Sequence, residues 1–211
     1  MKKILSEMNR FYQTTIEEES NNARKVNWKN EHAQKIRFEQ LVKILPENVA
    51  QSFSVADLGC GLGDLSAFIA SKGYDNFRYA GYDISSVMIE EAKKNVKAEN
   101  CVFKLIEKNE HAEDADFYLA SGIFGKKLDT KEFEWLSYIL ETLQVMHEKS
   151  RVGFAFNMLT KYSDADKMRS DLYYADPLYF FDYCKRNFSR NVALLHDYNE
   201  YDFTILVRKI V

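Results

Sequence analysis

The densest chemistry-bearing stretch of the chain is Asp57-Leu-Gly59-Cys-Gly61-Leu-Gly63-Asp64, which sets three of its 8 glycines at alternate positions. A strand that turns at once into a helix needs backbone room and often a positive φ, which glycine supplies at least cost. The missing side chains also let a ligand lie against the peptide N–H groups of a helix start. Asp83 closes the next apolar run, where a carboxylate can accept hydrogen bonds from a ribose diol. Two ligands compete for this pattern. A nicotinamide or flavin dinucleotide carries a pyrophosphate and expects G-x-G-x-x-G, whereas here the third glycine arrives one residue early. Asp57 and Asp64 place two carboxylates beside the turn, awkward for a diphosphate but tolerable for a ligand with an ammonium group. No Gly-Lys-Ser or Gly-Lys-Thr follows, which excludes a P-loop.

These residues need elements to hold them. From Asn30 to Leu45 the apolar residues fall on one helical stripe, and Pro46 stops it. SVADLG reads as a strand entering the glycines, and Leu65 to Ala70 as the helix that leaves them. FRYAGYD (77–83) is a second strand, followed by a helix from Val87 to about Val96 that Ser85–Ser86 can cap. CVFKLIE (101–107), DFYLASGIF (116–124) and GFAFNML (153–159) read as further strands, with an amphipathic helix from Phe133 to Met146 between the last two. Pro177 opens a short helix to Lys185. VALLHDY (192–198) and YDFTILVRKI (201–210) flank Asn199–Glu200, a two-residue hairpin signal. Strand–helix alternation ending in a hairpin predicts an α/β fold, a mostly parallel sheet with an antiparallel edge.

Composition bounds the rest. A chain of 211 residues that is 46% hydrophobic is neither disordered nor collagen-like, and its length suits one domain. The domain spans 1–211, with 1–45 an N-terminal helical cap. Its first 25 residues are polar, and EEESNN at 17–22 reads as a loop. A net charge of -3 with no basic run argues against a nucleic-acid stripe. Cys60, Cys101 and Cys184 are odd in number and widely spaced, which suits a reducing compartment. The N-terminus lacks an apolar h-region and no run approaches a membrane span, so the expectation is a cytoplasmic protein with no membrane partner.

VADLGCGLGDLSAFI resembles the first motif of the class I S-adenosylmethionine-dependent methyltransferases, D-x-G-x-G-x-G, at Asp57, Gly59, Gly61 and Gly63. The resemblance continues through YAGYDISSVMIEEAKK and covers roughly residues 35–159. It implies a Rossmann-like seven-stranded sheet with a reversed C-terminal hairpin strand, and S-adenosyl-L-methionine as cofactor. By the same resemblance Asp83 holds the ribose hydroxyls, while Ile84 and Met88 line the adenine side. Glu107 stands where an aspartate commonly meets the adenine amine. Ala120, Ser121 and Gly122 lie beside the methionine end. Trp28, Gln34, Arg37 and Phe38 resemble a W…Q-x-x-R-F pattern of some bacterial small-molecule methyltransferases. Arg37 is then the candidate for the cofactor carboxylate, a role that suits a guanidinium fork. Trp28 covers the cofactor or packs its own helix.

Methyl transfer from a sulfonium is an in-line displacement, which needs alignment and, for some acceptors, a base. Ligands of open α/β sheets lie outside the carboxyl ends of the strands. Candidate catalytic residues there are His32, His111, Tyr173 and Tyr174. His147, at a helix end, and His196, in a late strand, read as structural. No His and Cys cluster has metal-ligand spacing. The polar, aromatic segment 160–185 reads as an acceptor-side insertion, with Asn157, Tyr162, Arg169, Tyr173 and Tyr174 as candidate acceptor contacts. Arg169 is the one suited to a phosphate or carboxylate.

The Asp/Asn-Pro-Pro-Tyr/Phe motif of base-flipping amino-methyltransferases is missing from Ala120-Ser-Gly-Ile-Phe124, which argues against DNA. ASGIFGKKLD and FNMLTKYSD…DLYYADP…HDY…FTILVRK resemble methyltransferases of bacterial surface-polysaccharide clusters, some tied to methyl phosphoramidate decoration of capsules. The resemblance implies a small polar acceptor, sugar- or phosphate-bearing, methylated on oxygen. The alternatives are a protein or RNA acceptor, a non-catalytic cofactor-binding regulator, and an NAD-dependent oxidoreductase. Oligomeric state is open, because apolar interface residues read the same as core ones.

Overall fold

The computed structural model describes residues 4–11 and 28–210, with side chains from residue 32 onward in the second stretch. Residues 4–11 are helical (α1), and α2 spans Trp28–Leu41, extended by a 3-10 turn at Val42–Ile44. There follow β1 (Phe53–Leu58), α3 (Asp64–Ser71), β2 (Phe77–Asp83), α4 (Ser86–Asn95), β3 (Cys101–Leu105) and β4 (Ala115–Ala120). The chain continues through α5 (Glu132–Lys149), β5 (Ser150–Leu159), α6 (Pro177–Asn187), β6 (Asn191–Leu195) and β7 (Asp202–Arg208). The sheet order is β3-β2-β1-β4-β5-β7-β6. β1 to β5 run parallel, and β7 is antiparallel to both β5 and β6. This is the expected α/β architecture, a Rossmann-like, mostly parallel sheet with antiparallel C-terminal strands.

Strands covered on both faces must be apolar on both faces. Val55, Ala56 and Leu58 of β1, Tyr118 and Leu119 of β4, and Phe154, Ala155 and Phe156 of β5 are accordingly all buried. One layer packs α2, α3 and α4 on the sheet, and the other packs α1, α5 and α6. Strand order reverses between β1 and β4, and the splayed carboxyl ends there leave a crevice. Local signals set the helix starts around it. Ser85 Oγ accepts the Met88 N–H to cap α4, and Asp176 Oδ1 accepts the Leu178 N–H at 3.0 Å beside Pro177 in α6.

The link from β3 to β4 passes β2 and β1 with only a 3-10 turn at Asn109–His111 and no helix. Ile4, Leu5 and Met8 of α1 join the apolar cluster of Ile106, Tyr82 and Tyr138 on that side. α1 thus covers sheet that so short a crossover leaves bare.

Several expected boundaries differ. The polar N-terminal stretch contains α1, whose apolar ridge is two turns long; EEESNN lies outside the described residues. The helix expected over 30–45 begins at Trp28 and tightens after Leu41. The fourth strand ends at Ala120 rather than at 124, because the chain turns at Gly122 (φ 75°) and Phe124 folds back into the core. The two-residue hairpin is instead a connection over 196–201, with Asn199 at φ 57°. β6 is an edge strand and ends at Leu195, so His196 lies beyond it. His147, in the last turn of α5, packs its ring 4.9 Å from that of Phe188. No helix among the described residues is long and apolar enough to cross a membrane.

Candidate active site

The turn from β1 into α3 hangs on the end of β2: the N–H groups of Gly59 and Cys60 donate to the Tyr82 carbonyl at 2.8 and 3.1 Å. Gly59, Gly61 and Gly63 all have positive φ. At Gly63, the N-cap of α3, a Cβ would also lie 2.8 Å from the Phe103 ring, so both backbone and packing demand glycine.

Asp83, buried at the end of β2, accepts the Gly61 N–H on Oδ2 at 3.1 Å and the Ser85 N–H on Oδ1 at 2.9 Å. Burial pushes its pKa up and these backbone bonds oppose the rise. The Ile84 N–H also acts on this carboxylate, and with about four acceptor positions on its two oxygens it keeps capacity for a ligand.

Asp57 accepts a hydrogen bond from the buried Tyr79 hydroxyl on Oδ2, while its Oδ1 is buried without a partner. Burial pushes its pKa up to about 7; the Tyr79 bond works against this and the Asp83 charge adds to it. Arg37 donates from Nη1 to Asp202 Oδ2 at 3.4 Å, and its Nε is likewise buried without a partner. Burial raises the Asp202 pKa and the neighbouring guanidinium opposes it.

These groups line one cleft with two chambers. The first holds Asp83, Ile84, Met88, Ile106 and Asn109, with Leu5 and Met8 of α1 and Tyr138 of α5 in its wall. The second holds Gln34, Arg37, Phe38, Asp57 and Asp64. Gly59, Gly61, Met88, Ser121 and Gly122 belong to both. Ser121 and Gly122 are fixed from behind by Asn157, whose Oδ1 accepts the Gly122 N–H at 2.8 Å and whose Nδ2 reaches Ser121 Oγ at 3.4 Å. Ala120 is the buried last residue of β4. The first chamber has apolar sides and polar ends, which suits a planar base attached to a diol. An orphaned carboxylate oxygen and an orphaned guanidinium nitrogen in the second suit an amino-acid group, ammonium toward Asp57 and carboxylate toward Arg37.

The sequence-derived candidates divide between this cleft and other places. Arg37, Asp57, the three glycines, Asp83, Ile84, Met88 and Ser121 come together, although Gly63 supports the turn rather than lining it. Glu107 is exposed in a separate depression with Leu5, Ser6 and Asn9. Trp28 opens α2, with its side chain outside the described residues. His32 and His111 are exposed and stand in neither chamber wall.

The segment after β5 does not reach the cleft walls either. Asn157 is buried behind Ser121 and Gly122. Tyr162 is 60% exposed, its ring 6.0 Å from that of His196. Arg169 makes a fork with Asp171, Nε to Oδ1 at 3.0 Å and Nη2 to Oδ2 at 2.7 Å. Tyr174 OH accepts the Arg169 N–H at 3.0 Å. The Tyr173 N–H donates to the Gly125 carbonyl at 2.8 Å, and burial pushes its phenol pKa up. The segment is therefore a strap, tied to the loop after β4 by the Lys126–Leu172 bridge and the Lys126–Asp171 ion pair. Several cleft residues were not singled out as site residues from the sequence, among them Leu5, Met8, Ile106, Asn109 and Tyr138. The spacing of Leu5 and Met8 within a short polar stretch was their one signal.

Comparison with known proteins agrees with this geometry. Residues 55–159 match the model of a methyltransferase domain family. The chain is 47% identical over 163 residues to the Mycobacterium tuberculosis protein Rv1506c, which carries a methyltransferase name; the match covers 77% of this chain and 96% of that one. The magnesium protoporphyrin IX methyltransferase of Synechocystis PCC 6803, solved with bound SAH, shares the fold at a TM-score of 0.70 and 14% identity, covering 97% of this chain and 99% of that chain. The plantazolicin methyltransferase BpumL, also solved with SAH, superposes at a TM-score of 0.66 and 14% identity, covering 99% and 95%. A glycine turn against two buried carboxylates, on this sheet and with this relative, identifies the chain as a member of the class I methyltransferase family, enzymes that use S-adenosyl-L-methionine.

Proposed function

We propose that this enzyme methylates an oxygen of a small polar acceptor, a sugar- or phosphate-bearing metabolite, phosphoramidates included, of surface-polysaccharide biosynthesis in the cytoplasm. Support for a small acceptor comes from solved structures of the same fold, which include the magnesium protoporphyrin IX methyltransferase and the plantazolicin methyltransferase. Charge favours an anion on one side only. Lys126 and Arg169 share the single carboxylate of Asp171, a local surplus of one positive charge within a strap whose residues 160–176 carry one net negative charge. The groove between α1 and α5 carries Asp129, Glu134 and Glu141 against Lys131, an acidic balance that disfavours a phosphate there.

The cofactor supplies an electrophilic methyl group on a sulfonium. In this reading Asp83 accepts the ribose hydroxyls, Asp57 faces the ammonium and Arg37 takes the carboxylate. Ile84 and Met88 hold the base. With both histidines away from the cleft, the chain contributes alignment and exclusion of water, and the acceptor proton leaves to solvent.

The test is release of S-adenosylhomocysteine from a panel of sugar nucleotides and sugar phosphates, run beside bulk tRNA and a peptide mixture. Turnover with the phosphorylated sugars is expected. Turnover with tRNA or peptides alone would overturn the acceptor class, and binding of the cofactor without turnover on any acceptor would favour a regulator.

A further inference from the structure

β6 ends the sheet on one side: it pairs with β7, and no strand lies beyond it among the described residues. Edge strands are ordinarily blunted by a charge, a proline or a bulge, because their unpaired backbone groups invite another strand. The opposite edge, β3, carries Lys104. By contrast β6, Asn191-Val-Ala-Leu-Leu195, has no charge and no proline, and its register with β7 runs unbroken. Its entry is capped within the chain, where Ser189 Oγ accepts the Asn191 N–H at 3.1 Å and Lys185 Nζ donates to the Arg190 carbonyl at 2.5 Å. The edge from Val192 to Leu195 stays open. Side chains there are apolar on both faces and only half-buried, Val192 and Leu194 against one core layer, Ala193 and Leu195 against the other. The flank of α6 beside this edge extends the strip through Phe181, half-buried, and Leu178, 60% exposed. Lys185 identifies that flank, since its Nζ lies 5.7 Å from the Phe181 ring centre and also reaches the start of β6.

We propose that the chain forms a two-fold dimer through β6, which pairs antiparallel with the same strand of a second copy and continues the sheet across both chains. Charge at the two ends of the strand selects a second copy as the occupant. Arg190 precedes β6 and Asp197 follows it; both are exposed, and neither side chain has a hydrogen-bond or ion-pair partner among the described residues. An antiparallel copy reverses that order. Centred on Ala193, the pairing sets Arg190 of one chain opposite His196 of the other, one position from Asp197, and symmetry repeats the contact at the far end. A different protein would have to carry the matching order of charges, which a second copy has by symmetry. The same pairing brings α6 beside its mate and covers Leu178 and Phe181. An isologous contact of this kind closes on itself, whereas β6 added to β3 would propagate and meet Lys104.

The test is sedimentation of the full chain at micromolar concentration, where a species of twice the 24.7 kDa chain mass is expected. Leu178→Glu places a charge in the covered strip at a position that is 60% exposed in the single chain, so it should keep the native circular dichroism and dissociate the dimer. Arg190→Asp and Asp197→Arg each create two like-charged contacts per dimer, and each should weaken association by about tenfold. Mixed in equal amounts, these two variants should associate again, because each then meets the opposite charge at both ends of the strand. A native chain that sediments as a monomer, or as a species larger than a dimer, would overturn the proposal. So would a dimer indifferent to Leu178→Glu, or charge variants that gain nothing on mixing.

Discussion

Asn157 Oδ1 accepts the backbone N–H of Gly122 at 2.8 Å, so a buried amide at the end of β5 sets the position of the loop after β4. Ser121 and Gly122 line both chambers, and what holds them acts on the cofactor indirectly. Asn157→Ala removes the acceptor of the part-buried Gly122 N–H, which should cost about 1 kcal/mol in urea unfolding. It should also weaken S-adenosylhomocysteine binding. Unchanged affinity in the folded variant would show that the loop holds its place alone.

Asp83 carries two backbone N–H bonds and, in the proposed mode, the ribose. Asp83→Ala should lower affinity for S-adenosylhomocysteine by about tenfold or more, since a hydrogen bond to a charged group contributes roughly 1.5–3 kcal/mol. Calorimetry of the folded variant measures this directly, and native-like affinity would remove Asp83 from the ribose.

Asp57 makes both stability and binding depend on pH. Its pKa rises from 3.8 to about 7 on folding, so the native state holds the proton over that range and the unfolded chain does not. Its contribution therefore falls as pH climbs from about 4 to about 7 and is constant above, a cost on the order of 4 kcal/mol at 1.36 kcal/mol per pKa unit. Asp57→Asn should be more stable than the native chain at pH 8, with the difference shrinking toward pH 4. An ammonium placed at Oδ1 favours the ionised form, so cofactor binding near pH 6 should release a proton and near pH 8.5 should not. Calorimetry in buffers of different ionisation enthalpy reads that release; its absence at pH 6 would separate Asp57 from the ligand.

Two glycines of the same turn should fail differently when replaced by alanine. At Gly63 (φ 85°) the new Cβ would lie 2.8 Å from Phe103, so Gly63→Ala should cost about 2–4 kcal/mol of stability from strain and crowding together. At Gly61 (φ 53°) no atom lies within 4 Å, so Gly61→Ala should cost about 1–2 kcal/mol, while its methyl group narrows the cleft. Thermal melts with and without S-adenosylhomocysteine separate the two: the ligand should rescue Gly63→Ala more than Gly61→Ala.

The sheet was legible because β1, β4 and β5 are buried on both faces and therefore read as uninterrupted apolar runs. The glycine turn was legible because its strain admits few other residues. Phe124 shows why the fourth strand was read too long: a core residue that folds back beyond a turn has the same composition as a strand end. Glu107 and Asn109 lie two positions apart on one short crossover, and only its 3-10 turn decides which of them faces the cleft. Arg169 and Tyr174 had suitable chemistry for an acceptor, but their partners, Asp171 and each other, are visible only once the strap is folded.

The placement of α1 has a consequence for how the enzyme is made. Residues 4–11 precede every other described element in the chain, yet the surface they cover includes Tyr138 of α5, more than 120 residues downstream. Contacts between such distant segments form late, because chain closure must precede them. α1 is thus among the last elements to dock, and the cleft gains its final wall only on a chain already folded through β4 and α5.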